Sequence, residues 1–165
     1  MIAVRDLAKS FGSHQILSGV SFEIEQGESV VIIGRSGGGK SVLLKHLVGL
    51  LQPDSGQVLI DGEDIVAMKE RDLLRVRRKF GMLFQGAALF DSKTVAENIA
   101  YGLRRHDHLS EAEIEQKVAD VLKVVELPGI ENTKSSELSG GMKQRLGLAR
   151  AIVYKPEIIL YDEPT

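Results

Sequence analysis

The stretch Gly34-Arg35-Ser36-Gly37-Gly38-Gly39-Lys40-Ser41 constrains this 165-residue chain more than any other. It follows the apolar run Val30-Val31-Ile32-Ile33 and precedes Val42-Leu43-Leu44, so the local reading is strand, glycine loop, helix. Glycines at both ends of such a loop, followed by Lys and Ser, form the Walker A pattern, whose backbone N–H groups point inward and surround a phosphate chain. A helix starting near Lys40 adds its positive end. Lys40 supplies an ammonium for the β- and γ-phosphates, and the Ser41 hydroxyl is a ligand for the Mg²⁺ that bridges the same oxygens. The candidate nucleotide-binding residues are therefore Gly34, Arg35, Ser36, Gly37, Gly38, Gly39, Lys40, Ser41 and Val42. A glycine-rich turn that binds nothing is the alternative, and the strand before and helix after argue against it.

Composition limits what surrounds the loop. The length suits one domain. Lys and Arg total 21 against 23 Asp and Glu, so no basic field makes nucleic acid or anionic lipid an expected partner. There is no cysteine, which removes disulfides and thiolate metal sites. The longest apolar runs are a few residues, too short to span a bilayer, and Met1-Ile2-Ala3-Val4-Arg5-Asp6 lacks a signal-peptide pattern, so the chain is expected to be soluble.

In chain order, Ile2 to Val4 read as a short strand running into a loop over Lys9-Ser10-Phe11-Gly12-Ser13. Val20, Phe22 and Ile24 alternate with Ser21, Glu23 and Glu25, the period of a half-buried antiparallel strand. From Glu28 to Ile33 the character changes: four consecutive β-branched residues suit a strand covered on both faces, as in a parallel sheet. Val42, Leu43, Leu47, Val48 and Leu51 have helical spacing, and Pro53 with Gly56 ends that helix. Gln57 to Ile60 reads as a strand, Asp61-Gly62 as a hairpin turn, Arg71 to Lys79 as a basic helix, and Phe80 to Phe84 as a strand ending at Gln85. Thr94 with Glu97 and Ser110 with Glu113 fit capping boxes, so two helices begin there. In the second, Ile114, Val118, Val121, Leu122 and Val125 line one face. The region from about Gly86 to Arg145 thus reads as a helical insertion.

Two further constellations carry chemistry. Ile158-Ile159-Leu160-Tyr161-Asp162-Glu163 is an apolar strand ending in adjacent carboxylates, which strand alternation sends in different directions. Asp162 is the candidate for the Mg²⁺ shell, and Glu163 the candidate to polarise an attacking water. A solvated strand end is the plain alternative, disfavoured beside a Walker A loop. Leu138-Ser139-Gly140-Gly141-Met142-Lys143-Gln144-Arg145 places glycines at a second helix start, giving a second anion-binding end. Standing alone it is an ordinary helix cap, but it stands between the phosphate loop and the acidic strand, and one triphosphate needs only one cradle.

Taken in order, Walker A, Gln85, Leu-Ser-Gly-Gly and Walker B make the whole chain resemble the nucleotide-binding domain of ABC transporters, an ABC-type ATPase. The resemblance implies an α/β fold: a P-loop NTPase (RecA-like) core with an N-terminal antiparallel β-subdomain and an inserted α-helical subdomain. Residues 1–85 and 146–165 would form the nucleotide-binding core and 86–145 the helical subdomain with the signature motif. It implies ATP and Mg²⁺, and a head-to-tail dimer with a second ABC ATPase subunit, in which Ser139, Gly140 and Gly141 meet the γ-phosphate held by the partner's Walker A loop. Gln85 matches the Q-loop glutamine that meets Mg²⁺ and the attacking water and reports nucleotide state to transmembrane permease subunits. Phe11 matches the aromatic that stacks on adenine, although a Phe after a strand suits a core equally. Met142 replaces the usual Gln of the signature, and Tyr161 a more usual aliphatic residue. Phe84 to Ser92 with Thr94 to Ile99 is similar to the same segment of Mla/Mce-type phospholipid (toluene-tolerance) transport ATPases, which implies lipid transport, a Mce-type substrate-binding subunit and a place on the cytoplasmic face of the inner membrane. The plainer reading makes Leu89 and Phe90 core residues of the insertion.

The chain stops at Thr165, before the D-loop and switch histidine of the family. None of His14, His46, His106 or His108 lies where that histidine belongs, so each is expected at the surface or in packing. In related P-loop ATPases the strand after Walker B lies between the Walker A and Walker B strands, which leaves a gap expected beside Val30 to Ile33 and makes these residues the expected N-terminal part of a longer ATPase. The rival readings are an ATPase of another importer or exporter, a soluble ABC ATPase of DNA repair or translation, and a chain that binds nucleotide without turnover. The second would bring coiled-coil insertions or tandem cassettes, and neither is visible.

Overall fold

The computed structural model describes residues 1–84, 86–106 and 109–162. The chain divides into two compact units, Met1–Arg78 and Lys79–Thr165. In the first, β1 (Ile2–Phe11), β2 (His14–Ile24), β3 (Ser55–Ile60) and β4 (Glu63–Asp64) form an antiparallel sheet in the order β2-β1-β3-β4. The expected alternation in β2 holds, with Val20, Phe22 and Ile24 half-buried and Ser21 and Glu23 exposed. The loop expected over Lys9 to Ser13 is instead the end of β1 and a two-residue hairpin turn. Lys9 pairs with Leu17, Ser10 with Gln15 and Phe11 with His14, so ladder bonds carry the strand past its apolar half. Asp61 and Gly62 both take left-handed backbone (φ 50° and 83°) between the paired residues Ile60 and Glu63, as a two-residue hairpin with the right twist requires.

Helices α1 (Lys40–Leu47) and α2 (Glu70–Arg77) complete this unit. Arg77 joins them by donating from Nε to the Val48 carbonyl at 3.0 Å and from Nη2 to the Gly49 carbonyl at 2.9 Å, satisfying acceptors that the end of α1 leaves over. Val30 to Ile33 departs from expectation. The run belongs to no strand and pairs with none among the described residues, and Val31 and Ile33 are 80% and 92% exposed. The β-branched sequence fits a strand, but a strand needs a neighbour for its main-chain groups, and none of the described residues supplies one.

In the second unit, β5 (Phe80–Leu83) and β6 (Ile158–Tyr161) pair in parallel, Phe80 beside Ile158 through Leu83 beside Tyr161. Three helices, α3 (Val95–His106), α4 (Glu111–Val124) and α5 (Gly140–Ile152), enclose a core in which Leu103, Leu122, Leu146 and Ala149 have no exposed surface. Both expected capping boxes are present. The Thr94 N–H donates to Glu97 at 2.8 Å and the Glu97 N–H to the Thr94 hydroxyl at 3.2 Å. Ser110 and Glu113 repeat the exchange at 2.8 and 3.4 Å. Buried Asn98 fixes the loop before α3, accepting from the Phe90 N–H at 2.9 Å and donating to the Thr94 carbonyl at 2.9 Å. Leu89 packs against the helical core, whereas Phe90 is partly exposed with its ring 4.8 Å from that of Tyr101.

The hydroxyl and N–H of Ser110 hold the Glu113 carboxyl below the usual carboxylate range. A carboxyl depressed on folding adds stability above its unfolded value of 4.5, and that stability is lost as pH falls through the lower folded value. Ser110→Ala should therefore cost about 1 kcal/mol in urea unfolding at neutral pH, with the gap to the parent narrowing as Glu113 protonates.

Candidate nucleotide-binding site

The glycine loop is built by its backbone. The Gly38 N–H donates to the Arg35 carbonyl at 3.0 Å, and a Cβ on Gly38 would lie 2.9 Å from that oxygen. Gly37 and Gly39 take φ of 75° and 90°, backbone that side chains disfavour. Gly39 is the N-cap of α1 and is pressed against β2, where a Cβ would sit 2.9 Å from Ile16 Cγ2 and 3.1 Å from Leu17 Cδ2. Gly39 has no side chain to cap the first-turn N–H groups that follow it, the arrangement that suits an anion at this helix end. The Lys40 ammonium arcs back across the loop, donating to the Gly34 and Arg35 carbonyls at 3.1 Å each. Ser41 and Val42 continue the first turn. Phe11 stands in the same unit at the tip of the β1–β2 hairpin, 48% exposed, which removes it from the core.

The remaining predicted residues lie in the second unit. Asp162 directly follows β6; it is buried, its N–H donates to the Leu83 carbonyl at 2.9 Å, and its neighbour Tyr161 is exposed. Ser139 is the N-cap of α5, its hydroxyl accepting from the Met142 N–H at 3.3 Å. Met142, in place of the usual Gln, packs its side chain on the apolar helical core. Gly140 and Gly141 follow with ordinary backbone, and a Cβ on either would meet nothing within 4 Å. The structure around them gives no packing reason for glycine. Gln85 and Glu163, the two predicted catalytic residues, lie outside the described residues. Of the histidines, His14 is exposed and His46 is buried in α1 with Nδ1 2.7 Å from the Val42 carbonyl, as surface and packing residues; His108 and the side chain of His106 are outside the description.

Ser41 in the first unit carries a hydroxyl oxygen and Asp162 in the second a carboxylate, each by itself a hard donor of the type Mg²⁺ takes. No cluster of three or more His, Cys, Asp or Glu side chains occurs among the described residues.

Residues 17–165 match the sequence model of the ABC transporter family. The chain belongs to the ABC transporter family. This ABC-family chain is 48% identical over 163 residues to the probable ribonucleotide transport ATP-binding protein mkl of Mycobacterium leprae, covering 99% of the chain and 47% of that protein. It is 42% identical over 164 residues to MlaF, the intermembrane phospholipid transport system ATP-binding protein of Haemophilus influenzae, covering 99% and 62%. The dimeric post-hydrolysis state of the ATP-binding cassette MJ0796 bound to ADP and Pi matches with a TM-score of 0.91 at 34% identity, covering 100% of the chain and 75% of that structure. The fold is that of an ABC cassette, a P-loop NTPase. No helix among the described residues is long and apolar enough to cross a membrane.

Sequence reasoning missed what supports the ABC loop: Ile16 and Leu17 behind Gly39, and Lys9 and Asp54 beside Phe11. Ile16 and Leu17 read only as apolar positions before β2's alternating half, and Asp54 lies 45 residues from Lys9, with no local pattern to connect them. Because Gly39 is both left-handed and crowded, Gly39→Ala should cost about 1–3 kcal/mol in denaturant unfolding. Gly140→Ala, in open space on a helix, should leave stability unchanged or raise it by up to about 1 kcal/mol in the same measurement.

Proposed function

We propose that this chain is the ATP-binding and ATP-hydrolysing part of an ABC transporter subunit, energising phospholipid or related hydrophobic transport through partner permease subunits. One observation carries the reading. Two helix starts suited to anions occur on one polypeptide: α1 behind left-handed Gly39 with Lys40 across the loop, and α5 behind Ser139 with unobstructed Gly140 and Gly141. Glycine without an internal reason is explained by the close approach of something external, here a γ-phosphate on a second copy bound head to tail. On this reading residues 1–85 and 146–165 form the nucleotide core and 86–145 the helical subdomain. MlaF supports phospholipid as the cargo through its name, as does the likeness of Phe84–Ser92 to Mla/Mce-type ATPases, which brings with it a Mce-type substrate-binding subunit and a peripheral place on the cytoplasmic face of the inner membrane.

Catalysis is positioning plus charge neutralisation. Phe11 stacks on adenine; Gly34 to Val42 hold the phosphate chain with backbone donors; Lys40 leaves its loop carbonyls for the β- and γ-phosphates. At an effective dielectric of about 20, a cation about 4 Å from a phosphate oxygen contributes roughly 4 kcal/mol of gross attraction. Ser41, Gln85 and Asp162 would hold Mg²⁺, which when bound would add to the neutralisation of the phosphate oxygens. Glu163 accepts a hydrogen bond from the attacking water and orients it.

The protein should bind ATP, and Lys40→Ala should weaken that binding on the order of 10- to 100-fold, the value of a charge-assisted hydrogen bond. Glu163→Gln should keep the affinity and stop phosphate release, measured as inorganic phosphate over time. Turnover by Glu163→Gln at the parent rate would remove Glu163 from its role, and turnover untouched by loss of Ser139 would remove the shared site. Isolating the protein with its permease and identifying bound lipid by mass spectrometry checks the cargo; absence of lipid in favour of a polar solute would overturn it.

A further inference from the structure

Phe11 is an exposed aromatic at a hairpin tip, which leaves its orientation to be explained. Lys9, two residues earlier on β1, places its ammonium over the Phe11 ring, 5.5 Å from the centroid. The same ammonium donates to Asp54 Oδ1 at 2.8 Å, and the Ser10 N–H donates to Asp54 Oδ2 at 2.6 Å. The Asp54 N–H returns a bond to the Ala8 carbonyl at 2.9 Å. Asp54 thus grips three consecutive residues of β1 immediately before Phe11, from the segment that follows α1. The Lys9 ammonium and the Ser10 N–H hold the Asp54 carboxyl below the usual carboxylate range.

The clamp and the phosphate loop share a support. Leu17, which packs on Gly39, is the β2 partner of Lys9. The stretch of chain that fixes one face of the Phe11 ring is therefore tied through one strand pair to the loop for the phosphates. A cation over one face of an aromatic ring draws on its negative potential, holds the ring still and occupies that side. Only the opposite face remains for a flat electron-rich group, which suits offset stacking of a purine.

We propose that Lys9, held by Asp54, is a positioning residue for the base of the nucleotide: it covers one face of Phe11 and presents the other to adenine. This rests on the reading of Phe11 as the adenine platform. The role separates from a merely structural one because it concerns the base and not the phosphates. In the protein, Lys9→Met should weaken ATP binding about three- to tenfold, the range of an exposed to partly desolvated cation–π contact, while inorganic tripolyphosphate binds as in the parent. Asp54→Asn should shift in the same direction, and Lys9→Arg, which keeps a cation over the ring, should restore ATP affinity. In steady-state turnover the Lys9→Met loss should appear as a raised KM at unchanged kcat. Equal weakening of ATP and tripolyphosphate by Lys9→Met would mean damage to the unit and would overturn the inference. If Phe11→Ala loses ATP affinity and Lys9→Met does not, Lys9 has no part and the platform stands. If neither variant changes ATP binding, the platform reading falls and the inference with it.

Discussion

The left-handed backbone at Gly39 governs what this chain can do. At φ 90° the chain turns from the glycine loop into α1 with no side chain in the way, and β2 closes behind it through Ile16 and Leu17. Any Cβ there would push the loop off the strand. The helix start, with its amides and partial positive charge, is therefore aimed by a contact between a glycine and two aliphatic side chains of β2. The loop's chemistry depends on this packing as much as on Lys40, because the lysine only supplies charge to a cradle whose shape is already fixed.

The two glycine-bearing helix starts, of α1 and α5, are made differently. The first uses glycine because the backbone needs it. The second uses glycine although its backbone is ordinary and its surroundings are open, and it takes a side-chain cap from Ser139. A glycine without a local reason points to a requirement outside the local structure. Here it accords with the proposal that a second copy brings its nucleotide to this helix start.

Much of this was legible in the sequence. Walker A, the acidic strand end and the Leu-Ser-Gly-Gly helix start carry their chemistry in residue type and spacing. The two capping boxes were readable because each is a reciprocal exchange between residues three apart, and Asp61-Gly62 because two left-handed positions admit few residue types. What was not legible is non-local. The continuation of β1 through Lys9 to Phe11 comes from pairing with β2, not from its own polar residues. The grip of Asp54 on the hairpin joins positions with no common pattern. Val30 to Ile33 failed in the opposite sense, since its composition is that of a buried strand but composition cannot supply the neighbour that makes one.

That last segment has a consequence for the molecule as an object in solution. Four β-branched residues in a row, exposed and in no ladder among the described residues, have the make-up of a nucleus for cross-chain pairing. Main-chain amides and carbonyls attract any passing strand before side chains can discriminate, so aggregation of a partly folded chain should start here, beside the loop on which its chemistry depends.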